Sequence, residues 1–434
     1  MKERGNKKHL FVRKSAVVGV VFLFVTTILI SSSTGILPDN QEEFLNYQVA
    51  EHEPVLDDQF FDKTISFLMK LARYPSLSAC IINDDEVIWS KGYGCYDLET
   101  NKASTEHTIY NIGSISKTIT GTALMQLYEQ GLFDLDEDVN DYLPFNLRNP
   151  HFPDDSITFR MLLSHTSSLD FDGIDYFWLN FSADPPFEGY PYPWLKEHLL
   201  TGGKWYYPER WSKTYRPGDY ALYANVNFDL IAYLVDLISG ESFLEYCQDH
   251  IFSPLKMYNT SFNLSERDIE NVAIPYHFHN GEYLQINQLV YMLDNITPPD
   301  KYWRMHFYPV GGLYTTVSDL SHFLIAHMNE GVYNGVRILK KETVEQMHHA
   351  QPGNQINYGL AWGNMGSSWL NITYSGHNGA IFGVFTWMYF TPLENIGVIY
   401  FTNGDPYWEK NPIIGDIAHQ MIFNALFMKG GKII

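Results

Sequence analysis

The sequence predicts an α+β protein, an antiparallel sheet flanked by helices with a mainly helical part inserted between two sheet-forming halves. Three observations carry this expectation. Residues 78–97 alternate like a hairpin turning at Asp84-Asp85. Near the other end, "GHNGAIFGVFTWMYF" and "NIGVIYFTNG" alternate in the same way. Between these stretches the apolar residues fall mostly at helical spacing.

The elements follow in order. "DDQFFDKTISFLMKLARY" at 57–74 has the spacing of an amphipathic helix. In the hairpin that follows, a turn at Asp84-Asp85 sets Cys80 opposite Trp89, so Cys80 and Cys95 do not face each other. With Cys247 the chain holds three cysteines, which is no disulfide framework. Residues 115–130, "ISKTITGTALMQLYEQ", align Ala123, Leu124 and Leu127 and stop at Gly131, a normal helix terminator. Further helical segments fall at 157–164, 193–200, 225–239 and 242–251. After about residue 306 the pattern turns to strands, interrupted by "VSDLSHFLIAHMNEG" and closed by a helix in "IIGDIAHQMIFNALF". The sheet part is therefore expected at about 58–112 and 306–434, and the helical part at about 113–305, in one domain over 58–434.

The N-terminus reads differently. Lys2, Arg4, Lys7, Lys8, Arg13 and Lys14 stand against the single acid Glu3, and "SAVVGVVFLFVTTILI" (15–30) carries no charge. Residues 1–33 are expected to be a signal peptide or a membrane anchor, and 34–57, polar with Pro38 and Pro54, a linker. The next basic residue is Lys63, so the charge bias places the N-terminus in the cytoplasm and the domain outside the membrane, tethered or secreted. Taking the six basic and one acidic residue from totals of 29 and 50 leaves 23 and 49, a net charge of −26. So acidic a surface repels phosphate backbones and excludes nucleic acid as a partner.

"NIGSISKT" (111–118) raises the question of chemistry. Gly113 permits a tight turn and a helix follows, so Ser114 sits at a helix start, where free N–H groups favour developing negative charge. Lys117 lies three residues on, on the same face, whereas Ser116 points about 100° away. Ser114 is the better nucleophile. A lysine accepts the serine proton only when neutral, so this chemistry needs a dry or electropositive pocket around Lys117. The same Ser-x-x-Lys spacing recurs at Ser253-Pro254-Leu255-Lys256, so the tetrapeptide alone decides nothing.

Two more stretches do. Tyr223-Ala224-Asn225 stands before a helix, and His377-Asn378-Gly379 enters a strand. With these, the chain resembles the serine β-lactamase and penicillin-binding-protein-like family, especially the class C-related esterase and D-peptidase branch, over roughly residues 60 to 425. "LDEDVNDYLP", "ITFRMLLSHTSSL", "IFSPLKMYNTSF" and "GGLYTTVSDLSHFL" share in the likeness. The resemblance implies a β-lactamase/transpeptidase-like fold and an exported serine hydrolase that uses no metal or other cofactor. It implies that Ser114 is acylated by a small-molecule or short-peptide substrate and that Lys117 and Tyr223 share the proton transfers. Asn225 is implied to bind substrate and steady Lys117, and His377, where β-lactamases have lysine, to orient Tyr223 or a substrate carboxylate. Gly379 lets substrate approach the strand, and the N–H groups of Ser114 and Ala380 are implied to form an oxyanion hole. Ser253 falls in a structural segment of that family.

His377 in place of lysine ranks penicillin hydrolysis below hydrolysis of esters, amides or D-amino-acid peptides. The rival readings are a D,D-peptidase, transpeptidase or β-lactamase, and a catalytically weak receptor. The histidines at 277–279 and 348–349 lack a third ligand at a recognised spacing, and His165 reads as part of a buried hydrogen-bond network. Ser168 stands where relatives have glycine. The aromatic run from Tyr176 to Tyr215 reads as packing or as a wall over the Ser114 cleft.

Overall fold

The computed structural model describes residues 58–170, 194–288, 301–302, 304–305, 307–367, 372–405 and 412–433. The chain divides into two compact units, Ile65–Gly366 with Ile372–Ile434 and Met1–Thr64 with Ser367–Asn371. The candidate site lies wholly in the first. The expected leader (1–33) and linker (34–57) fall outside the described residues. No described helix is long and apolar enough to cross a membrane.

Helix α1 (Asp58–Ala72) leads into β1 (Ser76–Asn83) and β2 (Glu86–Asp97), the expected hairpin. A bulge between Ile81 and Ile82 shifts its register, so Cys80 faces Ser90 and Ile81 faces Trp89. The expected Cys80–Trp89 pairing is therefore off by one, because counting from the turn assumes an unbroken ladder. All three cysteines are free thiols.

Short strands β3 (Lys102–Ala103) and β4 (Tyr110–Asn111) come next, and β5 (Tyr276–His279) and β6 (Glu282–Gln285) lie far along the chain. Beyond them are β7 (Tyr314–Thr315), β8 (Val332–Tyr333), β9 (Val336–Arg337), β10 (Gly363–Ser367), β11 (Ile372–Ile381), β12 (Val384–Thr391) and β13 (Ile396–Thr402). The main sheet has seven strands in the order β10-β11-β12-β13-β1-β2-β3. β13 of the second half pairs antiparallel with β1 of the first, which joins the two sheet segments across the inserted helices. One element differs from expectation. β5–β6 is a hairpin inside the stretch read as helical; Asn280 and Gly281, with φ +50° and +93°, turn it, as an Asn-Gly pair between β-formers does. In the stretch after about 306 the main sheet takes its strands from β10 onward, and the short strands β7, β8 and β9 lie outside it in two-stranded pairs.

These helices are α2 (Ser116–Glu129), α3 (Phe159–Leu163), α4 (Trp194–Leu199), α5 (Val226–Ser239), α6 (Phe243–Cys247), α7 (Tyr308–Gly311), α8 (Val317–Met328), α9 (Lys341–His348) and α10 (Pro412–Ile433). α8 and α10 cover opposite faces of the sheet centre. A Cβ on Gly397 of β13 would meet Leu324 and Met328 of α8, whereas Gly430 of α10 abuts Ile81 and Ile396, one residue away in each strand. Alternate residues of a strand point to opposite faces. Every residue of β12 is buried, as a strand covered on both faces requires.

α2 runs through the middle of the helical part. Ser116 to Leu127 are all buried, so the helix has no polar stripe to show solvent. Its threonines are satisfied by carbonyls: Thr118 by Ile115 at 2.8 Å, Thr122 by Thr118 at 2.8 Å, Thr120 by Pro309 at 2.7 Å. A buried hydroxyl without such a partner is costly, so the sequence can place threonine here only because each has one.

Candidate active site

The site begins at the turn Gly113–Ile115, a single 3₁₀ turn that leads directly into α2. Gly113 has φ +52°, and a Cβ there would lie 3.2 Å from the Ala380 nitrogen and from Gly379 Cα. Its N–H donates to Asn111 Oδ1 at 2.9 Å. Glycine therefore lets the turn sit against β11, which brings Ser114 beside Ala380.

Ser114 and Ser116 then divide. Ser116 Oγ donates to the Gly113 carbonyl at 2.7 Å and accepts the Leu313 N–H at 3.1 Å, which commits it to holding the turn. Ser114 Oγ lies 3.0 Å from Lys117 Nζ. Lys117 is fully buried, and its Nζ also donates to the Val310 carbonyl at 2.8 Å, in the tight helix α7. The rings of Tyr223 and Phe228 stand 5.2 and 5.8 Å from Nζ. The dry surroundings that proton transfer through a lysine requires are present.

Tyr223 sits just before α5, with its ring 4.2 Å from the His165 ring and tilted 32° to it. His165 Nδ1 accepts from the Ala224 N–H at 3.2 Å and from Asn227 Nδ2 at 3.3 Å, so its proton is on Nε2. Burial above all, then the nearby Lys117, holds its pKa well below the ordinary value. His165 is thus a neutral group that steadies both the backbone after Tyr223 and the Tyr223 ring. It takes φ +60°, and Ser168 takes φ +64°, the conformation for which glycine is the usual choice. Asn149 Nδ2 bonding to Ser168 Oγ at 2.9 Å, with the Ser212 N–H on its carbonyl at 2.9 Å, holds it there.

On the far side, His377, Gly379 and Ala380 lie on β11. A Cβ on Gly379 would fall 2.1 Å from the Ile112 carbonyl oxygen and 2.5 Å from Thr386 Oγ1, so only glycine lets the strand pack against the Ser114 turn. His377 Nδ1 is 2.6 Å from the Asn378 carbonyl and Nε2 is 2.9 Å from the Tyr358 hydroxyl. Both ring nitrogens are therefore engaged. His377 was expected to orient Tyr223 or a substrate carboxylate; in this structure its two ring nitrogens face the Asn378 carbonyl and the Tyr358 hydroxyl. Burial, then Lys117, lowers the His377 pKa to about 3, so the ring is neutral near pH 7.

Ser114, Asn225 and Ala380 share one cleft with Met305, Phe307, Val310, Gly311 and Ile381. Asn225 lines the cleft at the start of α5, and Lys117 is steadied by Ser114 and Val310. Among these lining residues none is charged. The structure thus gathers all seven predicted residues around one turn. Sequence reasoning missed the Val310 carbonyl, the apolar wall and Tyr358. A backbone carbonyl leaves no mark in sequence, whereas Tyr358 has a faint one in its glycine-flanked "YGLAWG".

Other candidates disperse. Ser253 is exposed at the end of the segment Gln248–Phe252 and accepts from Gln248 Nε2 at 2.9 Å. His277 pairs with Asp405 at 3.3 Å, and no group of three or more His, Cys, Asp or Glu among the described residues could hold a metal. Of the aromatic run, Tyr176 to Tyr192 lie outside the described residues. Trp194 and Trp211 are core, with Trp211 Nε1 donating to the Leu199 carbonyl at 3.2 Å.

The Beta-lactamase family model matches residues 61–418. The chain belongs to the Beta-lactamase family. Members of this family with the β-lactamase fold are serine hydrolases. Protein flp of Staphylococcus aureus (strain N315) is 22% identical over 351 residues, 80% of this chain, and this chain spans 63% of that protein's length. The protein named "Putative D-alanyl-D-alanine carboxypeptidase" of Escherichia coli (strain K12) is 25% identical over 78% of this chain and 81% of its own. Among solved structures, the octameric penicillin-binding protein homologue from Pyrococcus abyssi superposes with a TM-score of 0.62 at 24% identity, covering 84% of this chain and 77% of its own. EstCE1, a hydrolase with promiscuous acyltransferase activity, gives 0.60 at 20% identity over 85% of this chain and 99% of its own. These likenesses establish the β-lactamase/transpeptidase fold.

Proposed function

We propose that the protein is a serine hydrolase that forms an acyl-enzyme on Ser114 and prefers uncharged esters of small acyl groups. The observation that carries the reading is the 3.0 Å contact between Ser114 Oγ and the fully buried Lys117 Nζ at the floor of a cleft. Ser114 Oγ attacks the substrate carbonyl carbon as its proton passes to the Lys117–Tyr223 pair. The N–H groups of Ser114 and Ala380 take the oxyanion, and the pair returns the proton to the departing alcohol. Water then repeats the sequence on the acyl-enzyme and frees the acid. Proton transfer of this kind is worth about 10²–10⁴ in rate and each oxyanion donor about 10²–10³.

Three features support the ester preference. No charged side chain stands among the described lining residues, His377 is neutral with both nitrogens engaged, and Met305, Phe307, Val310 and Ile381 make an apolar wall. A matched pair of activated esters tests this: p-nitrophenyl butyrate and the mono-p-nitrophenyl ester of succinate. The butyrate is expected to be favoured by about tenfold or more in kcat/KM, since the succinate carboxylate would enter an uncharged cleft without a partner. A preference for the carboxylate ester would instead favour the D,D-peptidase reading, for which the Escherichia coli relative's name speaks. At most one slow equivalent of product would favour the receptor.

The basic head and uncharged stretch at 15–30 support export of the domain, with residues 1–33 as signal or anchor. Protease treatment of intact cells that express the full chain checks this, because a protected domain contradicts export.

A further inference from the structure

We propose that Tyr358 is a positioning residue of this site: its hydroxyl holds His377 as the Nδ1–H tautomer, and His377 in turn fixes the strand edge onto which the Ala380 N–H opens. The proposal rests on the acyl-enzyme reading for its effect on rate, but not for the hydrogen bonds themselves.

A carbonyl only accepts, so the 2.6 Å contact between His377 Nδ1 and the Asn378 oxygen places the imidazole proton on Nδ1. A neutral ring then has Nε2 as an acceptor, and the Tyr358 hydroxyl, 2.9 Å away, donates to it. Tyr358 is 5% exposed and stands in a loop that is itself pinned. Its N–H donates to Asn354 Oδ1 at 3.1 Å, and its carbonyl accepts the Gln351 N–H at 3.0 Å. Its ring meets His165 edge-on at 5.1 Å and His377 at 5.8 Å, so Tyr358 touches the groups behind both sides of the cleft.

The consequence for the oxyanion site follows from strand geometry. Residues two apart in a strand point their N–H and C=O groups toward the same edge, so the Asn378 carbonyl and the Ala380 N–H share one. β11 is pinned between them, because Gly379 has no spare room and Thr386 Oγ1 bonds the Ile112 carbonyl at 2.8 Å. The chain Tyr358–His377–Asn378 therefore sets the peptide planes that aim the Ala380 donor. An oxyanion donor acts on the transition state more than on the bound substrate, so loosening it lowers kcat and leaves KM nearly unchanged.

The test has two arms. Nitrogen NMR of the wild-type imidazoles, with His377 assigned by comparison with His377→Asn, is expected to show Nδ1 protonated and Nε2 bare. An Nε2–H tautomer overturns the proposal. This arm needs no turnover and reads the ring in the wild-type protein, so it decides even where Tyr358→Phe does not fold. In the second arm, Tyr358→Phe in an enzyme that turns over esters is expected to lose about tenfold in kcat with KM within about twofold. Unchanged kcat, or a loss carried by KM, overturns the proposal. A wild-type protein that neither labels at Ser114 nor turns over esters sinks the acyl-enzyme reading instead, and the tautomer remains measurable.

Discussion

Two serines stand two residues apart around the Gly113 turn, and their hydrogen bonds separate them. Ser116 spends its hydroxyl on Gly113 and Leu313, whereas Ser114 turns its own toward Lys117. Ser114→Ala is expected to abolish ester turnover, by on the order of 10³ or more, with the fold retained by circular dichroism. Lys117→Ala and Tyr223→Phe are each expected to cost at least about tenfold in acylation or deacylation, measured by burst kinetics. Wild-type rates in either would remove that residue from the proton path. At this scale the sequence was informative where chemistry uses side chains at fixed local spacing: Ser114 and Lys117 share a helical face, and Tyr223 precedes a helix. It was silent on the partner of His377, because Tyr358 lies 19 residues away and only folding brings the two rings together.

At the scale of elements, the second Ser-x-x-Lys shows what context adds to a motif. Ser253 and Lys256 have the same spacing as Ser114 and Lys117, but Ser253 follows a π-helical segment, is exposed, and bonds Gln248. Lys256 takes φ +57°, which breaks the helical register that would have set the two side chains on one face. Ser253→Ala is accordingly expected to leave kcat/KM within about twofold of wild type. Loss of activity in a folded variant would mean that the wrong serine has been assigned. Helices were legible from their apolar spacing because α2, α5 and α8 bury long, regular faces. The β5–β6 hairpin escaped because its four-residue strands give too short a period, although the Asn280-Gly281 pair marked its turn. The Ile81/Ile82 bulge left no mark at all.

At the scale of the whole molecule, buried histidines set the response to acid. Burial, with smaller effects from neighbouring charges, lowers the pKa of His377 to about 3 and of His419 to about 4, and lowers His165 and His327 well below 6.5. In the unfolded chain each titrates near 6.5. Between these values the unfolded chain binds protons that the folded chain refuses, so stability is full above about pH 6.5 and falls as pH drops toward 4. Each such histidine contributes a slope of up to about 1.4 kcal/mol per pH unit. Urea midpoints are expected to fall steadily from pH 7 to 5, and a flat profile would contradict the neutral burial of these rings.

The joining of β13 to β1, which closes the sheet around the inserted helices, could be anticipated from the order of strand and helix patterns; what covers each face could not. The central claim for the molecule is that this closure delivers an activated serine. Treatment of the chain from about residue 40 with a fluorophosphonate probe, followed by mass spectrometry of the peptides, tests it most directly. The account predicts covalent mass on Ser114 that is lost in Lys117→Ala. A folded protein that takes no label, or takes it at another residue, would contradict it.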